Sequence, residues 1–185
     1  RGQRGLKDIA QRSGPGQVGT VKDWFRVSTN STRSLGIRAG GTLWALGGYN
    51  NQGALGLGDT VNRSSPVQVG AEAWGVVSTG ATTAGVRADG TLWTWGYNST
   101  VYGFLGIGVA DNVHRSSPIQ VGTLATWSNV SMGGVAKVAH QTDGTLWVGG
   151  RGNNYGALGL GDRTNRSSPT QLGTLTTWAK VVSQS

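Results

Sequence analysis

Short apolar runs alternate with glycine-rich turns along the whole chain, and no helical period is sustained anywhere. One class of run begins W-x-x-V, at Trp24, Trp74, Trp127 and Trp178. A second reads "SLGIRA", "TAGVRA" or "KVAHQT", with Ile37, Val86 and His140 at equivalent places. A third reads "TLWALG", "TLWTWG" or "TLWVGG", and a fourth is a P-x-Q-V/L-G run. Each has the length of a strand, and the four recur in the same order. Between the second and third stand Gly40-Gly41, Asp89-Gly90 and Asp143-Gly144. These dipeptides predict a two-residue hairpin in which both central residues take positive φ. The fourth strand opens on a proline, which lacks an N–H and suits a strand start or an edge.

The prolines set the period. Pro15, Pro66, Pro118 and Pro169 are spaced 51, 52 and 51 residues apart, and a first-strand tryptophan follows each by eight or nine. Four strands about every 50 residues is the arithmetic of a β-propeller blade. A blade cannot bury both faces alone and needs neighbours stacked on its tryptophans. The predicted fold is therefore all-β, a partial propeller of about three and a half blades of four antiparallel strands. Residues 1–23 hold a basic segment and the last strand of a preceding blade. Blades follow at 24–70, 74–122 and 127–173, and 178–185 begins another. The chain starts at Arg1 rather than Met, as expected of a processed or excised piece.

The succession G-T-L-W-x-x-G-x-N, G-x-L-G-x-G-D and R-S-S-P-x-Q-V resembles the repeat of the regulator of chromosome condensation family over nearly the whole chain after Gln11. The resemblance implies repeats of a seven-bladed ring, so that the chain is part of a longer ring or is completed by another copy. The family's name-giving member is a nucleotide-exchange factor that binds chromatin. The near-consensus, Gly- and Thr-rich copies look more like the family's bacterial-surface and phage-encoded members.

Composition narrows the chemistry. Glycine reaches 33 residues without a collagen-like period, and eight tryptophans argue for a folded core. Cysteine is absent, which excludes disulfides and thiolate metal sites. No apolar run is long enough for a membrane-spanning helix. The net charge of +8 permits contact with nucleic acid or acidic surfaces without requiring it, and a basic cluster sits at the start: Arg1, Arg4, Lys7, Arg12, Lys22 and Arg26.

Three corners spell "NRSSP" or "HRSSP", and in each an Asp precedes the Arg by four residues: Asp59/Arg63, Asp111/Arg115 and Asp162/Arg166, with Asp8/Arg12 as a fourth. Recurrence in every unit reads as a structural brace, since an active site is built once. Both histidines occupy repeat positions: His114 replaces a corner Asn and belongs on a surface loop, and His140 replaces an apolar residue and faces a blade interior. No paired-carboxylate, G-x-S-x-G or phosphate-loop pattern is discernible, so no catalytic, metal or cofactor residue is assigned. Unit two carries the longest loop, "GYNSTVYGFLGIGVAD", and its aromatics Tyr97, Tyr102 and Phe104 are the candidate partner contact. The function these readings favour is a non-enzymatic scaffold binding other protein subunits, whether copies of itself or a capsid or surface protein. Its setting would be a virion or the cell surface. An exchange or chromatin-binding regulator and a carbohydrate-binding propeller are the alternatives.

Overall fold

The computed structural model describes residues 17–101, 103–109, 111–134, 136–151 and 155–179. Among them are eleven strands and no α-helix: β1 (Trp24–Thr29), β2 (Arg33–Arg38), β3 (Thr42–Gly47), β4 (Arg63–Thr79), β5 (Thr82–Arg87), β6 (Leu92–Gly96), β7 (Arg115–Gln120), β8 (Trp127–Met132), β9 (Ala136–Gln141), β10 (Leu146–Gly150) and β11 (Arg166–Gln171). Every pairing is antiparallel between chain neighbours. Three four-stranded groups result, which are the blades of a partial β-propeller.

The first two groups share a strand. β4 pairs with β3 through Arg63–Ala73 and with β5 through Trp74–Thr79. Four residues separate Val69 from Trp74, and the ladder runs on through them. Five separate Val121 from Trp127, and there the extra residue breaks the strand. The P-x-Q-V and W-x-x-V runs are thus separate strands only where the linker is longer.

The hairpins differ from the two-residue turns predicted. Gly41, Gly90 and Gly144 have φ of 81–83°, whereas Gly40, Asp89 and Asp143 do not take positive φ. The N–H groups of Gly41, Gly90 and Gly144 donate to the carbonyls of Arg38, Arg87 and Gln141 at 2.8–3.1 Å. This is a three-residue loop, a turn closed by one left-handed glycine. Side chains select it. Asp89 and Asp143 each accept the N–H and Oγ–H of the following threonine at 2.6–2.9 Å. The threonine Oγ1 in turn accepts the indole N–H of Trp93 or Trp147 at 2.7–2.9 Å. The same threonine–tryptophan bond recurs at Thr42–Trp44. The G-T-L-W signature is therefore a hydrogen-bonded relay.

The core lies between blades. One cluster joins Leu35, Ile37, Leu43, Leu55 and Val69 to Trp74, Val77 and Trp95 of the next group. The other joins Ala84, Val86, Leu92 and Val121 to Trp127, Val130 and Met132. Apolar burial against a neighbour is what holds each blade. Val27 shows the converse: it is 71% exposed, where its counterparts Val77 and Val130 are 8% and 2% exposed.

Candidate functional site

The corners are built alike. Arg63, Arg115 and Arg166 each donate one guanidinium N–H to the aspartate four residues earlier and another to the carbonyl two residues earlier. Asp59, Asp111 and Asp162 accept the N–H of Val61, Val113 and Thr164 at 2.8–3.0 Å. The Val61 N–H, followed by Arg63, holds the Asp59 carboxyl below the usual carboxylate range. For Asp111 the Arg115 guanidinium leads, with the Asn98 amide and Val113 N–H adding to it. Asp8 and Arg12 lie outside the described residues.

Under the corners of units one and two sits a buried asparagine, Asn50 and Asn98. Asn50 accepts the Leu55 N–H at 2.8 Å, donates to the carbonyls of Asp59 and Val61, and has its own N–H on Asn62 Oδ1 at 2.9 Å. Asn98 repeats the pattern in unit two, donating to the Val109 carbonyl at 3.4 Å and to Asp111 Oδ1 at 2.7 Å and accepting the Leu105 N–H at 3.5 Å. Here His114 Nδ1 replaces the Asn62 oxygen as acceptor, 3.2 Å from the Asn98 N–H. The G-Y-N tripeptide that ends on Asn50 and on Asn98 was the available sequence signal.

The long unit-two loop carries its apolar exposure on other residues than the aromatics. Phe104 is 4% exposed and packs inward. Tyr97 is half-buried, its ring 5.1 Å from Phe104 and 5.0 Å from His114. Tyr102 lies outside the described residues. Exposed instead are Val101, Val109 and Val113, on arms tied by the Thr100 N–H to Asn112 Oδ1 at 3.1 Å. Burial of Phe104 in the inter-blade space removes it from a partner's reach.

Two further charged groups are inside the blade junctions. Arg33, on β2, crosses to the next blade and donates to Thr79 Oγ1 at 3.0 Å and to the carbonyls of Gly80 and Ala81 at 2.6 and 2.9 Å. Burial lowers its pKa to about 10. Lys137, on β9, donates to the Phe104 carbonyl at 3.1 Å, and burial pushes its pKa down to about 7. His140 is buried, with Ser128 Oγ 2.7 Å from Nδ1 and the Trp178 carbonyl at Nε2. These contacts are structural, and no group of three or more metal-ligating side chains occurs among the described residues.

The sequence profile of the regulator of chromosome condensation (RCC1) repeat matches residues 143–183. The match falls on one unit, from the β9–β10 turn onward. The fold agrees with several solved structures. Human WBSCR16 superposes with a TM-score of 0.81 at 21% identity, over 99% of this chain and 48% of that one. Prp20p from Saccharomyces cerevisiae, described with its binding properties to Gsp1p and histones, gives 0.76 at 16%, over 95% and 45%. A structure of Kap60 bound to yeast RCC1 (Prp20) gives 0.78 at 16%, over 96% and 44%. The chain thus spans about half the length of the solved structures it matches.

Proposed function

We propose that the chain is a non-enzymatic interaction module, a rigid arc of blades that presents its loops to protein partners. The carrying observation is the contrast within units one and two. The Asp–Arg corners, buried asparagines and indole relays hold the loops in fixed shapes, while Val61, Val101, Val109 and Val113 stand out to solvent on them. Fixed loops lower the entropy lost on binding, and exposed apolar tips supply contact area. Within this reading the pairs Asp59/Arg63, Asp111/Arg115 and Asp162/Arg166 brace the corners and make no contact with a ligand. The unit-two loop remains the contact site, with its valines in place of Phe104.

A virion or cell-surface setting is the finer version of this proposal. It rests on the near-consensus Gly- and Thr-rich repeats, and none of the solved structures compared above supports it. The second reading, a regulator, draws on the likeness to Prp20p, whose described binding concerns Gsp1p and histones.

The test is capture of protein partners from extracts of the source organism by the full chain and by a Val101→Asp, Val109→Asp, Val113→Asp variant. The expected result is a stoichiometric partner retained by the parent and lost from the variant, with both chains equally folded by circular dichroism. Equal retention by the two would sink the loop as contact surface, and absence of any retained protein would sink the module reading.

A further inference from the structure

One blade junction holds its repeat arginine differently from the unit before it. Arg87 ends β5, and its guanidinium lies flat on the Trp93 ring, 3.6 Å from the centroid, with Trp74 5.2 Å away. Stacking fixes the plane of the guanidinium and directs its N–H groups outward along that plane. Arg87 Nε is buried without a hydrogen-bond partner. A buried unsatisfied donor of this kind calls for an acceptor.

Arg87 lines a cavity of about 320 Å³ between the first two blades, together with Gln68, Gly70, Glu72, Gly58 and Ser117. That volume is in the range of sites that take a small group. Glu72 reaches the guanidinium only loosely, Oε1 to Nη2 at 3.4 Å, and is itself half-exposed. Its side chain folds back, with Oε2 on the Ala71 N–H at 3.2 Å. Asp89 is the other acid whose carboxyl feels the Arg87 charge, and its oxygen is already engaged by Thr91.

The counterparts behave differently. Arg38, at the same place in unit one and 5.6 Å from the Trp44 centroid, is held by both oxygens of Asp23 at 2.8 and 3.1 Å. Unit three has Gln141 there, without a charge. Only the site between the first two blades, among the described residues, combines a stacked arginine, a loosely held acid and a cavity.

We propose that this cavity is a binding site for a carboxylate side chain, an aspartate or glutamate of a partner polypeptide, which displaces Glu72 and engages the in-plane edge of Arg87. Glu72 is the intramolecular stand-in for that ligand. Planar carboxylate matches the guanidinium fork, and the net charge of +8 favours an acidic partner. The proposal deepens the interaction-module reading by naming the chemistry one of its surfaces takes.

The experiment is a titration of the full chain with the tripeptide N-acetyl-Gly-Glu-Gly-amide, followed by NMR at the Trp93 indole N–H and the Arg87 Nε–H. Saturable shifts at both are expected, absent with the Gln tripeptide. Glu72→Ala is expected to tighten binding several-fold by removing the competitor. Arg87→Gln, which installs the residue unit three already accommodates, is expected to weaken it at least about tenfold. Arg38→Gln is expected to leave it unchanged. Equal shifts with the Gln tripeptide, unchanged binding in Arg87→Gln or weaker binding in Glu72→Ala would each overturn the proposal. So would inorganic phosphate moving the resonances as far as the tripeptide at equal concentration. No partner protein enters this titration, so its failure leaves the capture experiment to stand or fall separately.

Discussion

The two blade junctions solve one packing problem with opposite chemistry. Between the first and second blades, Trp95 is fully buried against the ring of Trp74 at 5.5 Å, and its indole N–H donates to the Ala54 carbonyl at 3.0 Å. Its cross-strand partner Thr83 donates to the same carbonyl at 2.9 Å. Between the second and third, the Trp95 position is Gly149 and the Thr83 position is Lys137. The lysine stem lies over Gly149, and its amine donates to the Phe104 carbonyl, the counterpart of Ala54. The facing glycines agree: a Cβ on Gly56 would meet Trp95 Nε1 at 2.7 Å, and one on Gly106 would meet Lys137 Nζ at 2.2 Å. The slot is defined by a volume and one donor to a loop carbonyl. Residue type is free within those limits, at the cost of desolvating an amine in the second case.

The hardest test of this comparison is Trp95→Ala. Removing a fully buried indole and leaving the Ala54 carbonyl with Thr83 alone is expected to cost about 3–5 kcal/mol in urea unfolding. A loss below about 1 kcal/mol would mean the junction does not depend on filling the slot.

Lys137→Met comes next, because its effect turns on pH. The amine titrates near 10.5 when unfolded and at about 7 when folded. Below about 7 both states are protonated and the full destabilisation is present. Between the two values the unfolded chain holds more protons, so stability rises with pH, at up to about 1.4 kcal/mol per pH unit. Lys137→Met is expected to flatten that rise, so that its stability relative to the parent falls as pH increases. Parallel stability–pH curves for parent and variant would remove the neutral buried amine from the account.

Asp111→Asn is expected to have the smallest effect. Asp59, Asp89, Asp111 and Asp143 all have carboxyls held below the ordinary aspartate value of 3.8. Their contribution is present above that value and lost as pH falls through the lower folded ones. Asp111→Asn should therefore lower the thermal midpoint modestly at pH 7 and by less at pH 3. An equal drop at both pH values would show that the carboxylate charge at this corner is irrelevant.

Much of this was legible in the repeat. Strand order, blade count and the tryptophan slots follow from the 51- and 52-residue proline spacing, because a propeller reuses one set of local patterns. The hairpin type was misread at Asp89-Gly90, where the dipeptide alone suggests two positive φ values. Thr91 decides otherwise by bonding Asp89. Phe104 looked like a contact residue because loop aromatics in an insertion are usually displayed. It is buried beside Tyr97 in the space the insertion opens. The burial of Arg33 and Lys137 has no signature along the chain, since a lone charge in a strand reads as solvent-facing.

The sequence by itself determined an all-β chain of propeller-type repeats, since turn residues, period and apolar slots are local and recur in register. Tertiary structure alone decided which charges are inside, how Gly149 and Lys137 substitute for Trp95 and Thr83, and that Arg87 faces a cavity with its acid held at arm's length. Those outcomes depend on what the neighbouring blade places opposite each side chain, and such pairing across blades carries no signal in the order of residues along one strand.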